Sequence, residues 1–287
     1  MTQSRATVIG FVAVLLWALL ALFTVGSAPT PPLLLNAICF AIGGTLGLIW
    51  TGLGAGFGAL KRVGWKVYAF GTIGLFGYHA LYFSALRLAP VAEAGLIAYL
   101  WPLLIVLFSG VLPGERLKSG HILGGLIGFA GAAVIIAGGG AGFNLSALPG
   151  YGLALACAFT WAGYSVLSRH LEAAPTETVA IFCVATAVLS GGLHVMLEDT
   201  VWPTGALGWA ATIGLGIGPV GLAFYVWDIG MKRGDIQLLG VISYAAPLLS
   251  TLALVLAGVA APSWTLALAA LLITGGAGLA AHASLSK

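Results

Sequence analysis

The sequence predicts an all-α integral membrane protein of ten transmembrane helices, arranged as two inverted five-helix repeats. Three observations predict it. Of 287 residues, 60% are hydrophobic and only 7% are charged, against roughly 25% charged in soluble domains, so lipid must solvate much of the surface. Apolar runs of about twenty residues, the length that crosses the hydrocarbon, recur along the whole chain. Short motifs from the first half also return in the second at a nearly constant offset.

The runs fall near residues 7–26, 32–52, 66–88, 92–112 and 119–138, then near 151–170, 177–197, 206–230, 236–257 and 264–284. The first lacks a small-x-small cleavage site and leads into further apolar runs, so it reads as a span rather than a signal peptide. Alternating sides from a cytoplasmic N-terminus collects Arg5, Lys61, Arg62, Lys66, Arg116, Lys118, Arg169, Lys232, Arg233 and Lys287 on one side. Only Arg87 is left on the other. Short basic loops resist translocation, so both termini are expected in the cytoplasm.

Tyr99-Leu-Trp-Pro102-Leu-Leu in span 4 matches Tyr244-Ala-Ala-Pro247-Leu-Leu in span 9, and Trp17-Ala in span 1 matches Trp161-Ala in span 6. The offsets are 145 and 144 residues. Five spans is an odd number, so the second half must enter from the opposite side. Inverted repeats of this kind place a substrate site near the midplane between them. The repeats are assigned to residues 1–140 and 141–287, with the glycine-rich stretch Gly138 to Gly150 joining them.

Trp50, Trp65, Trp202, Trp209, Trp227 and Trp264 lie near predicted span ends, where indoles anchor at the interface. Trp17, Trp101 and Trp161 lie deep instead, as do Tyr78, Tyr99, Tyr164 and Tyr244. Tyr78 and Tyr82 are four apart with His79 between them, so all three can share one helix face. Together with His79 and Tyr82, these residues are the candidate substrate-binding lining, with helix packing as the plainer reading of any one of them. Buried phenols need hydrogen-bond partners. His79 is the ionisable side chain nearest a span centre, and such residues are functional candidates because they are costly in lipid; a neutral imidazole bonded to Tyr or backbone is the structural alternative.

Pro90, Pro102 and Pro247 are the candidate hinges. A proline has no N–H to donate, so Pro102 and Pro247 should leave the carbonyls of Ala98 and Ser243 without their usual partners. Asp228, within a turn of Lys232, reads as an ion pair. Arg87 and Glu93, flanking Pro90, are expected to pair with each other, and Glu115 beside Arg116 is given a structural role. Gly120-x-x-x-Gly124-x-x-x-Gly128 in span 5 lets a neighbouring helix approach closely, within the bundle or at a homodimer face.

Cys39, Cys157 and Cys183 sit inside apolar runs at spacings that suit neither a metal site nor a disulfide framework. No catalytic or metal-ligating constellation is expected, and no cofactor. The scattered basic residues leave nucleic acid no footprint. The expected partners are a small-molecule substrate and the lipid bilayer, in a monomer or homodimer.

The paired halves, the Pro102 and Pro247 segments, Leu112-Pro-Gly-Glu115 closing span 4 and the stretch Tyr82-Phe-Ser-Ala-Leu-Arg-Leu-Ala-Pro-Val-Ala-Glu93 together resemble the drug/metabolite transporter superfamily. The likeness is to its ten-span EamA-type branch and, within that, to YddG-type exporters of aromatic amino acids. It implies export from the bacterial cytoplasm through the inner membrane, by alternating access around a central cavity, without enzymatic activity. The chain departs from the pattern after span 9, where Gly258-Val-Ala260 replaces the Gly-Glu that closes span 4. Span 1 carries no acidic residue, which argues against a cationic substrate, and no Lys or Arg lies mid-span for an anionic one. Without a mid-membrane carboxylate, movement down the substrate's own gradient is expected. Proton coupling through His79, export of other amphipathic metabolites or drugs, and a non-transporting receptor are the alternatives.

Overall fold

The computed structural model describes residues 1–137, 144–171, 173–259 and 261–285. The predicted repeat boundary, residues 138–143 of the glycine-rich connection and Lys287 lie outside the described residues. Described secondary structure is entirely helical: α1 (Gln3–Trp17), α2 (Leu20–Gly26), α3 (Pro32–Leu53), α4 (Gly58–Lys61), α5 (Trp65–Leu88), α6 (Val91–Ala98), α7 (Trp101–Ser109), α8 (Ser119–Ile136), α9 (Leu148–Leu167), α10 (Thr178–Leu197), α11 (Gly205–Ile217), α12 (Ala223–Arg233), α13 (Ile236–Ile242), α14 (Ala245–Leu256) and α15 (Trp264–Leu285), with short 3₁₀ and π segments between some of them.

Nine single or composite helices among the described residues are long and apolar enough to cross a membrane. The remaining predicted span, α5, has 24 residues, or roughly 36 Å at 1.5 Å per residue. Its Lys66, Tyr78, His79, Tyr82 and Arg87 lower its hydropathy, yet it packs along α9 and α10 as a full bundle member. Four predicted spans are interrupted: α1–α2 form span 1, α6–α7 span 4, α11–α12 span 8 with a π turn at Gly218–Leu222, and α13–α14 span 9.

The packing repeats when the halves are exchanged. Spans 2 and 7 (α3 and α10), 4 and 9 (α7 and α13) and 5 and 10 (α8 and α15) pair with their own repeat mates. Span 1 meets span 8 (α1 and α12) just as span 6 meets span 3 (α9 and α5). Glycine permits the closest approaches. A Cβ on Gly124 would stand 2.5 Å from the Gly276 carbonyl oxygen, and one on Gly10 would stand 2.9 Å from the Gly230 Cα. Gly120 and Gly124 therefore face α15, and Gly128 faces Tyr244, so the span-5 glycines serve packing within the bundle.

Contacts define two ends. At one, the Lys118 Nζ donates to the Ala283 carbonyl at 3.0 Å, and the Asp235 amide donates to the Thr7 hydroxyl at 2.8 Å. Arg169 joins Glu115 at 3.0 Å and donates to the carbonyls of Met231 and Gly234. Buried Asp228 pairs with Lys232 at 3.0 Å, as expected, and accepts from the Thr176 hydroxyl. This is the basic end. At the opposite end the Glu198 carboxylate accepts from the amides of Leu33 and Leu34, which open α3, and from Arg87 and His194 at 3.0 Å. Arg87 thus pairs with Glu198 rather than Glu93. The carboxylate sits on free N–H groups at a helix N-terminus, where negative charge is favoured, while Glu93 turns inward in the first turn of α6.

Candidate functional site

The site begins with four tryptophans. Trp17, Trp101, Trp161 and Trp227 come from spans 1, 4, 6 and 8, and every pair among them has ring centroids between 5.1 and 6.4 Å apart. Most pairs meet edge to face, the geometry the ring quadrupole favours, each worth about 0.5–1.5 kcal/mol beyond burial. Two indole N–H groups are held. Trp17 donates to the Pro219 carbonyl at 3.1 Å, and Trp227 donates to the Ser165 hydroxyl at 3.1 Å. Trp227, expected at an interface, is instead 1% exposed, because α12 turns that face of span 8 into the bundle. Trp50, Trp65, Trp202, Trp209 and Trp264 do lie on the outer surface.

This indole layer floors a cavity of about 270 Å³. Trp17, Trp101 and Trp161 line it, and so do Tyr78, His79, Tyr82 and Tyr99. On spans 1, 3 and 9 the wall continues away from the basic end: to Leu20 and Ala21 beyond Trp17, to Tyr82 beyond Tyr78, and to Ser250 beyond Ala246 and Pro247. The floor tryptophans Trp101 and Trp161 are buried whereas Leu20 is exposed. The cavity therefore lies on the side of the indole layer away from the Arg169 and Asp228 networks.

Tyr78 and Tyr82 stack with rings 3° from parallel and centroids 6.2 Å apart, and Phe224 packs between Trp161 and Phe40. The His79 Nδ1 lies 2.7 Å from the Leu75 carbonyl oxygen. A carbonyl can only accept, so Nδ1 carries the hydrogen and Nε2 is left to accept or bind a proton. No charged side chain lines the cavity among the described residues.

Tyr164 and Tyr244, both predicted to line the site, do not border it. Tyr164 follows Trp161 by about one turn toward the basic end, and packs below the floor against Trp161 and Phe70. Tyr244 lies where span 9 breaks, and its ring turns to Gly128 of span 5. Its hydroxyl accepts from the Leu103 amide at 3.0 Å, one of the free N–H groups that the break in span 4 creates at the start of α7. Depth along a span is readable from sequence; the face a ring takes at a helix break is not.

The prolines divide similarly. Pro102 sits in the first turn of α7, and Pro247 in the first turn of α14. Each helix break falls just before the proline, at Tyr99–Leu100 and Ser243–Tyr244. The Ser243 carbonyl keeps a partner, the Ala246 amide at 3.1 Å, because the tightened turn replaces the lost bond. Pro90 lies in the turn joining α5 to α6, outside any helix. The π turn around Pro219 was missed from sequence. Its signal is a proline among glycines, Gly216-Ile-Gly218-Pro219-Val-Gly221, inside an apolar run; the turn supplies Pro219 and Val220 to the cavity, and Phe224 follows in α12.

Comparison with known proteins agrees with this architecture. The EamA-like transporter family matches residues 4–137 and again residues 148–281. The chain is 58% identical over 283 residues to an aromatic amino acid exporter, YddG, of Ancylobacter novellus, covering 98% of both chains. It is 27% identical to the protein of the same name from Salmonella typhimurium, covering 88% of both. A crystal structure at 58% identity superimposes with a TM-score of 0.94 over 97% of both chains. Two copies of the family's repeat, one in each half of a single bundle around a shared cavity, place the chain in the EamA-like transporter family.

Proposed function

We propose that the chain exports aromatic and large neutral amino acids from the bacterial cytoplasm across the inner membrane, by alternating access and down their own gradient. The observation that carries this reading is the uncharged aromatic cavity, a stack of flat faces between the two repeats. A substrate ring lies on the Trp17, Trp101 and Trp161 floor. Its charged head group meets the hydroxyls of Tyr78, Tyr82, Tyr99 and Ser250 and the backbone freed at the helix breaks. The Ancylobacter relative's name gives aromatic amino acids, the first part of this substrate class.

In this reading the basic end faces the cytoplasm, as short basic loops require, and the cavity is open to the exterior. The repeats, residues 1–140 and 141–287, then rock so that the ion pairs of the basic end part while the Glu198 cluster tightens. The lining offers no carboxylate or thiol for covalent or acid–base chemistry, which favours a carrier over an enzyme. Proton coupling is the second reading, favoured by His79: it is the one imidazole among the lining side chains, and its Nδ1 bond to the Leu75 carbonyl leaves Nε2 as the ring's acceptor.

Efflux from proteoliposomes loaded with labelled aromatic, aliphatic, acidic and basic amino acids tests the proposal. Selective loss of aromatic and large neutral solutes without an ion gradient is expected. Flux that appears only under an imposed pH gradient, and disappears in His79→Gln, selects the coupled reading. Retention of every solute under both conditions contradicts both.

A further inference from the structure

The two faces of α3 differ. Gly43, Gly44 and Gly47 are buried, and a Cβ would stand 2.8 Å from the Gly221 Cα at Gly43 and 2.7 Å from the Val184 side chain at Gly44. The other face presents Thr45, Leu48, Ile49 and Gly52, at the i, i+3, i+4 and i+7 positions of one helical stripe. With Leu53 and Phe57 these line an apolar groove of about 350 Å³ on the surface. It lies outside the bundle, along a span, where acyl chains are the solvent.

Two glycines build the groove. Gly56 has φ +74°, a conformation that L side chains resist. This turn brings the Phe57 ring to 3.4 Å from the place a Cβ on Gly52 would take, and Gly52 itself adds no side chain to fill the space.

A basic turn follows at once. Lys61 ends α4, Arg62 caps it, and Lys66 lies in the first turn of α5. The Tyr68 hydroxyl donates to the Leu60 carbonyl at 2.7 Å, which clamps α4 to α5 and fixes where these cations emerge. Trp65, between them, is 73% exposed and suits the headgroup level. Lys61, Arg62 and Lys66 are all exposed. The ion pairs among the described residues engage Arg87, Arg169, His194 and Lys232 instead.

We propose that the α3 groove and the α4 turn form a binding site for one anionic phospholipid, with an acyl chain along Leu48, Ile49 and Phe57 and the phosphate at Lys61, Arg62 and Lys66. Clustered cations beside a span recognise acidic headgroups, and the adjoining apolar groove selects a lipid over a free phosphate. The site ties span 2 to span 3, which carries Tyr78, His79 and Tyr82 to the cavity wall, so its occupant bears on how that wall stands.

Native mass spectrometry of the full-length protein in detergent tests this, with phosphatidylglycerol, phosphatidylcholine and water-soluble glycerophosphoglycerol as probes. The wild type should retain one phosphatidylglycerol with roughly tenfold preference over phosphatidylcholine. K61Q/R62Q/K66Q should lose that preference, whereas R5Q/R116Q, which alters cations elsewhere at the same end, should keep it. Gly52→Leu, at an exposed position, should weaken retention of both lipids by filling the groove, and glycerophosphoglycerol should displace neither. Equal retention of the two lipids by the wild type overturns the proposal. So does a preference that survives the triple substitution, one lost equally in R5Q/R116Q, or displacement by the soluble headgroup.

Discussion

Spans 1 and 6 start from the same Trp-Ala pair and end up built differently. In span 6, α9 runs unbroken through Trp161. In span 1 the helix stops at Trp17, resumes at Leu20, and Trp17 is bonded to the Pro219 carbonyl in the π turn of span 8. Spans 4 and 9, by contrast, break at matched places just before matched prolines. Pseudo-symmetry thus supplies the cavity and its paired breaks, and the departures from it concentrate where span 1 meets span 8. The difference teaches that inverted repeats share a scaffold without repeating every break: spans 1 and 8 are discontinuous where their mates, spans 6 and 3, run unbroken.

The largest effect should come from the lock that holds the basic end shut for both halves. Glu115 is nearly buried against Arg169, and removing one partner of such a pair costs about 3–5 kcal/mol. Arg169→Ala should therefore lower thermal stability sharply and raise the accessibility of a cysteine introduced at the basic end. An unchanged melting curve would show that the lock is not structural.

Gly124→Val comes next. The added side chain meets the Gly276 carbonyl, and overpacking of this kind costs about 1–3 kcal/mol. The α8–α15 pair lies away from the floor, so thermal unfolding should shift while substrate selectivity holds. A shift in selectivity would mean that the outer pair is coupled to the cavity.

The comparison is sharpened most by Trp17→Phe against Trp161→Phe. Both keep an aromatic ring in the floor. Only the first removes the bond to Pro219, worth about 1 kcal/mol, or roughly fivefold in a rate or equilibrium. Efflux kinetics should show a change in maximal rate for Trp17→Phe and a smaller one for Trp161→Phe; equal effects would erase the asymmetry. The smallest effect belongs to His79→Gln, which should leave efflux without a pH gradient nearly unchanged.

Much of this was legible in the sequence because hydropathy, charge and repeat spacing act over many residues at once. The apolar runs, the basic loops and the mates Trp17 and Trp161 needed no knowledge of neighbours. The Asp228–Lys232 pair was readable because four residues on a helix fix its geometry. Properties set by a partner helix were not readable. Arg87 chose Glu198, a residue 111 positions away, over Glu93. Trp227 stands near a span end yet turns inward, and Tyr244 spends its hydroxyl on an amide that only the break at Tyr99 sets free. The interruption after Trp17 has no proline or glycine beside it; tertiary contacts of the indole, not local propensity, accompany it.

Equilibrium binding of labelled tryptophan to the purified protein, wild type against Trp101→Ala, tests the central claim most directly. The account predicts saturable binding, competed by phenylalanine and tyrosine but not by lysine or glutamate, and weakened at least about tenfold when the floor loses an indole worth several kcal/mol in packing. Binding of unchanged strength in a folded Trp101→Ala protein would place the substrate somewhere other than the aromatic cavity.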